Sequence, residues 1–353
     1  MTEPAPRPAR ILFVGAGAIG SYLGAFLSRA GHAVTLVDPW AEQVDAIRQR
    51  GISVTGPHEP FQARPAAMHL HEAARLPRDH DIAFVAVKAY DTSWATQLAL
   101  RHLGAQGYVV SAQNCWPDPA VAAVVGPTRA VGLVMSKIGV AMWRPGEVER
   151  GMESGRGKGH DVFRAGEHDG RITPRVQALA AMLSAIDGAQ ATDNLWGERW
   201  AKLCQNAMGN PVQAISGLGS GEIATSEVGR ALTIHLAAEG ARVGLALGYR
   251  VPRFGGAPAE TWADPAATAA LDDILRAAAG SGKSWRASMA QDVAKGRPTE
   301  IDFMNGHVVG CGRDRGVATP VSEAIVGIVH EVESGALTAG PQNLGLALRR
   351  AGV

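Results

Sequence analysis

The segment Ile11–Asp38 constrains this chain most. Ile11-Leu12-Phe13-Val14 is a short apolar run that stops at Gly15, which reads as a buried strand. Gly15-Ala16-Gly17-Ala18-Ile19-Gly20 follows, and Tyr22, Leu23, Phe26 and Leu27 then recur at helical spacing until Gly31–His32. Val34–Val37 is a second strand, ending in Asp38. In such a βαβ unit the first glycine permits the tight turn. The second lets backbone approach a pyrophosphate, and the third lets helix and strand pack closely. The unpaired amides of the helix start favour phosphate. Gly15, Ala16, Gly17, Ala18, Ile19 and Gly20 are therefore candidate dinucleotide contacts, the alternative being a plain tight turn. Asp38 lies 18 residues after Gly20, and no Arg or Lys follows before Arg48. A carboxylate there can accept both ribose hydroxyls and would repel a 2′-phosphate, so NAD is expected over NADP. The alternative is a solvated loop aspartate.

Further strands are expected at Ile82–Val87, Tyr108–Ser111, Val131–Val140 and Asp161–Phe163, which with intervening helices indicates a parallel α/β sheet. From Asp193 the helical period takes over. The fold class expected is α/β: a Rossmann-like domain over 9–192 followed by an all-helical domain over 193–349. Pro252–Gly282 reads as a loop with one short helix around Leu271–Ala278, and Met1–Arg10 as a frayed arm. The length of 353 residues, with 46% hydrophobic and 19% charged residues, suits a soluble two-domain chain with a large core. A net charge of +1 gives no reason to expect nucleic acid or a membrane as partner. Cys115, Cys204 and Cys311 form no CxxC motif, so no metal site is expected and a reducing cytoplasm is the default. A small-molecule substrate is the expected partner, with a homodimer left open.

Two constellations in the second half carry chemistry. Trp196–Asn210 reads as one helix, on which Lys202, Asn206 and Asn210 fall at roughly 0°, 40° and 80° while Trp196, Trp200, Leu203 and Ala207 fall at about 100° to 160°. A lysine at the edge of an apolar face is partly desolvated, which lowers its pKa and suits it to proton donation. On spacing alone, a snorkelling surface lysine is the favoured reading. The second is Ser288-Met-Ala-Gln291-Asp292 with Pro298-Thr299-Glu300-Ile-Asp302. Thr299 and Asp302 resemble a capping box, placing Glu300 in a first helical turn. Spacing alone favours a merely decorative Glu300.

Taken in order, GAGAIG at Gly15–Gly20, VAVKAYDT at Val85–Thr92, QN at Gln113–Asn114, WAKLCQNAMGNP at Trp200–Pro211, SMAQDVAKGRPTEIDFMNG at Ser288–Gly306 and GVATP at Gly316–Pro320 resemble the ketopantoate reductase family. The resemblance spans nearly the whole chain. It implies a Rossmann-like cofactor domain, a helical substrate domain and reduction of a 2-oxo acid by a nicotinamide cofactor. It further implies Lys202 as general acid and Glu300 as the carboxylate that orients substrate and lysine. Asn206, Asn210 and Ser288 are implied as substrate ligands, and Lys88 and Asn114 as residues beside nicotinamide and substrate.

The chain departs from the family pattern where QNG reads Gln113-Asn114-Cys115 followed by Trp116. Ser220 and Ser322 replace asparagines, Asp38 ends the second strand, and the loop Tyr249–Ser284 is long. These changes bear on substrate fit and cofactor choice. Three functions therefore compete: a 2-dehydropantoate 2-reductase-like enzyme; an NAD-dependent dehydrogenase oxidising the secondary alcohol of a larger catabolic substrate; and a non-catalytic dinucleotide sensor. The sensor would be signalled by loss of Lys202 or Glu300, and both are present.

Overall fold

A computed structural model describes residues 8–279 and 286–353. The first seven residues of the expected arm and the end of the 249–284 loop lie outside the described residues. The chain divides into two compact units, one up to Leu195 and one over Trp196–Val353.

The first unit contains strands β1 (Arg10–Val14), β2 (Ala33–Asp38), β3 (Ile52–Thr55), β4 (Phe61–Ala63), β5 (Ala66–His69), β6 (His80–Val85), β7 (Leu103–Ser111), β8 (Ala130–Met135), β9 (Val140–Arg144), β10 (Glu147–Arg150), β11 (Phe163–Glu167) and β12 (Ala189–Ala191). Its helices are α1 (Ala18–Arg29), α2 (Ala41–Arg50), α3 (Thr92–His102), α4 (Asp118–Val125) and α5 (Pro174–Leu183). The main sheet runs β12-β11-β8-β7-β6-β1-β2-β5. Along β1, Ile11 and Phe13 join one buried cluster and Leu12 and Val14 another. Both faces are covered, so the strand reads as a continuous apolar run rather than an alternating one.

The sheet is mixed rather than purely parallel, because β11 pairs antiparallel with β8. A parallel neighbour needs a crossover, usually helical. Between β8 and β11 the chain instead passes through the β9–β10 pair, which with β3 and β4 forms a second sheet ordered β4-β3-β10-β9. The single strand expected over Val131–Val140 is two strands in two sheets. Lys137 and Gly139, both at positive φ, turn the chain between them.

The second unit holds α6 (Leu195–Ala207), α7 (Asn210–Ser216), α8 (Ser220–Thr225), α9 (Glu227–Ala246), α10 (Ala259–Ala263), α11 (Thr268–Ala278), α12 (Ser288–Ala294), α13 (Ile301–Arg315), α14 (Pro320–Glu333) and α15 (Gln342–Ala351). Helix α9 lies at its centre, against α8, α10, α11, α13, α14 and α15. The Trp200 indole of α6 donates to the Gly240 carbonyl of α9 at 2.9 Å. A Cβ on Gly244 would stand 2.2 Å from that indole nitrogen, so glycine is what lets the two helices meet.

The expected helix over 196–210 is corrected to two helices. Pro211 has no N–H to give the Ala207 carbonyl, and its ring crowds that turn. The expected loop at 252–282 is more helical than its composition suggests. Trp262 of α10 is buried, stacks on Phe254 with centroids 5.8 Å apart and donates to the Phe254 carbonyl at 2.8 Å. Among the described residues, no helix is long and apolar enough to cross a membrane.

Candidate active site

The dinucleotide candidates gather at the carboxyl ends of parallel neighbours β7, β6, β1 and β2. Gly15 turns off β1 at φ +106 and donates to the Val37 carbonyl at 2.8 Å. A Cβ on Gly20 would fall 2.0 Å from the Gly15 carbonyl oxygen, so helix and turn touch there. A Cβ on Gly17 would meet nothing within 4 Å. Gly17 is also the N-cap of α1, and no side chain caps that helix. Open space in front of uncapped helix amides fits a pyrophosphate.

Asp38 ends β2 as expected, buried, and it braces the loop. Its Oδ2 accepts the Ala16 amide at 2.5 Å and its Oδ1 accepts the Trp40 amide at 2.8 Å. Gln43 of α2 completes the brace, donating to the Ala16 carbonyl and to Ser21 Oγ, both at 3.0 Å. Sequence reasoning missed Gln43. Its only signal was an amide on the apolar side of α2, where it is fully buried.

Lys88 stands three residues beyond β6, half-buried, at the start of a short 3-10 turn over Ala89–Asp91. Asn114 lies three residues beyond β7, also half-buried. Gln113 fastens this loop to its neighbour, donating to the Val87 carbonyl at 3.0 Å and to Thr92 Oγ1 at 2.9 Å. Cys115 follows at φ +64, a conformation costly for any residue with a Cβ. Cys115 is buried and Trp116 half-buried.

In the second unit, Lys202 and Asn206 share α6. Lys202 keeps a solvent-touching edge, yet burial pushes its ammonium down to about 8. Among the described residues no side chain forms a hydrogen bond or ion pair with it. Asn206 is buried, deeper than its place on the expected stripe. Asn210 is not on that stripe: it opens α7. Ser288 opens α12. Glu300 is the buried N-cap residue of α13, one position earlier than expected. The expected capping box does not form. Thr299 Oγ1 accepts the Ile301 amide at 3.3 Å, and Asp302 pairs instead with His330 at 3.0 Å.

Two buried amides tie these helices together. Gln213 of α7 accepts, through Oε1, the Ala287 amide just before Ser288, at 2.8 Å. Asn305 of α13 donates to the Ala207 carbonyl at the end of α6, at 3.2 Å. Lys202, Asn206, Asn210, Ser288 and Glu300 thus sit on helices linked pair by pair. Neither tying amide stood out in the sequence as a site residue.

A glycine loop at the switch point of a doubly wound sheet, and a separate helical unit carrying a desolvated lysine, define a dinucleotide-dependent oxidoreductase. The family model for ketopantoate reductase PanE/ApbA matches residues 11–158, and that for its C terminal matches residues 194–333. The 2-dehydropantoate 2-reductase of Archaeoglobus fulgidus is 30% identical over 339 residues, covering 93% of this chain and 99% of its own. A PanE/ApbA family ketopantoate reductase from Ralstonia eutropha JMP134 aligns with a TM-score of 0.75 at 25% identity, over 92% of this chain and 99% of that one. A D-mandelate dehydrogenase structure with NADH and anilino(oxo)acetate reaches 0.75 at 20% identity over 92% and 99%, a likeness of fold. The chain belongs to the ketopantoate reductase family. It is an NAD(P)-dependent oxidoreductase acting on a hydroxy or oxo acid.

Proposed function

We propose that this chain interconverts a 2-oxo acid and its 2-hydroxy acid with NAD(H), with Lys202 as general acid–base and ketopantoate as the first substrate to test. A bound nicotinamide supplies or accepts the hydride. Gly15–Gly20 would hold the pyrophosphate and Asp38 the adenosine ribose, with Lys88 and Asn114 beside nicotinamide and substrate. In reduction, negative charge builds on the carbonyl oxygen, and the Lys202 ammonium stabilises and then protonates it. In oxidation, neutral Lys202 takes the alcohol proton. Asn206, Asn210 and Ser288 bind substrate, and Glu300 orients substrate and lysine.

The observation that carries this reading is the placement of Lys202 on α6, engaged by no partner among the described residues, where burial lowers its ammonium to about 8. Its proton is available near neutral pH in either direction. Steady-state assays with ketopantoate and either NADH or NADPH test the proposal. Turnover with NADH preferred supports it. Tight NADH binding without turnover on any 2-oxo acid overturns it in favour of a dinucleotide sensor.

A second reading concerns the substrate. Cys115 held at positive φ, with half-buried Trp116 after it, puts bulk at the carboxyl end of β7. An apolar wall of this kind favours a substituent less polar than that of ketopantoate. A series of 2-oxo acids graded in polarity decides it: kcat/KM rising with apolar character supports this reading, and a maximum at ketopantoate removes it.

A further inference from the structure

Pro211 sits four residues after Ala207, where an uninterrupted helix would supply the amide that caps the Ala207 carbonyl. Proline has no such amide. A buried carbonyl without a donor loses its hydration with nothing in return, so the break in α6 creates a demand that another part of the fold must meet. Asn305 meets it. Its side chain is fully buried on α13, and its Nδ2 donates to the Ala207 oxygen at 3.2 Å. The assignment of the amide follows from chemistry, since a carbonyl requires the NH₂ end. This bond joins the end of the helix bearing Lys202 and Asn206 to the first turns of the helix whose N-cap is Glu300.

We propose that Asn305 is a positioning residue for hydride transfer: by replacing the amide that Pro211 withholds, it fixes the lysine helix against the start of the glutamate helix. The inference rests on Lys202 being the general acid–base. Asn305 touches the reacting groups only through Ala207, five residues along α6 from Lys202, so its effect falls on the geometry of proton transfer and spares the dinucleotide loop.

Asn305→Asp keeps the shape but turns an acceptor oxygen towards the Ala207 carbonyl. Asn305→Ser removes the bond without adding charge and serves if the aspartate variant does not fold. The folded variant is expected to lose kcat by about 10- to 100-fold, while the Kd for NADH, read by fluorescence, stays within about two-fold of the parent. The deciding measurement places the same substitution in a Lys202→Ala background. If Asn305 acts through Lys202, the second substitution there lowers the residual rate by less than about two-fold. An equal loss in both backgrounds, or a kcat unchanged in the otherwise native enzyme, overturns the proposal. A Lys202→Ala enzyme with undiminished turnover would instead overturn the reading of Lys202, and the two failures are told apart by that single variant.

Discussion

At the scale of the residue, the proposed chemistry turns on Lys202 and Asp38. Removing a general acid costs about 10²–10⁴-fold in rate, so Lys202→Ala should lower kcat by that factor. An unchanged turnover number would remove Lys202 from the mechanism. The pH dependence has a definite sign. Reduction uses the ammonium, so kcat/KM for the oxo acid should fall as pH rises through about 8. Oxidation uses the neutral amine, so its kcat/KM should rise over the same interval. Two limbs of the same sign would contradict one lysine serving both directions. Asp38 holds the Ala16 amide, and in the proposed function it also takes the adenosine ribose. Asp38→Ala should therefore weaken NADH by roughly ten-fold, from loss of a hydrogen bond to a charged group, and move the NADH/NADPH ratio of kcat/KM towards NADPH. A parent enzyme already preferring NADPH would refute the assignment of Asp38.

At the scale of the element, the glycine loop offers a test that separates folding from binding. Gly20→Ala forces a Cβ to within 2.0 Å of the Gly15 carbonyl and should disrupt the β1–α1 turn. Gly17→Ala meets nothing in the protein. It should leave the melting temperature near the parent value yet weaken dinucleotide binding, because the methyl group enters the open space before the α1 amides. Equal NADH affinity in Gly17→Ala and parent, by titration, would place the pyrophosphate elsewhere. In the second unit, Gly244→Ala pushes a Cβ against the Trp200 ring. Overpacking of this kind costs about 1–3 kcal/mol, which denaturant unfolding would read.

At the scale of the whole molecule, a buried pair joins the two sheets of the first unit. Arg150 of β10, in the small sheet, meets Asp187, which precedes β12 of the main sheet, at 2.5 Å with both side chains almost wholly buried. Asp187 also accepts the Gly155, Arg156 and Gly188 amides and the Ser154 hydroxyl. Burial works to raise the Asp187 pKa, but the Gly188 amide, Arg150 and Ser154 outweigh it and hold the carboxyl below its usual value. A depressed carboxyl stabilises the fold above its unfolded pKa, and that contribution is lost as pH falls through the folded value. The share of stability that Asp187 contributes should thus be lost only in acid, below about pH 4. Arg150→Met leaves a buried carboxylate without its cation and should cost about 3–5 kcal/mol in urea unfolding at neutral pH. A loss under about 1 kcal/mol would mean that the amides around Asp187 suffice without the arginine.

Local patterns in the sequence determined much of this protein. Apolar runs of strand length, the Gly15–Gly20 turn and Asp38 at the end of β2 fixed the βαβ start, because strands buried on both faces and phosphate-binding turns leave contiguous signatures. The change to helical period after Asp193 marked the second region for the same reason. The tertiary structure decided what depends on residues far apart in the chain. It split Val131–Val140 between two sheets, reversed β11, shifted Glu300 to an N-cap and drew Asp38 into bracing the loop it faces. The end of α6 at Ala207 belongs to both scales. Pro211 stood in the sequence as the cause of that break, but the hydrogen bond from Asn305 that repairs it comes from 98 residues away. A helix wheel cannot register such a partner. The opening turn announced the cofactor because its physics is local, whereas Lys202 acquired its setting only from helices packed around it.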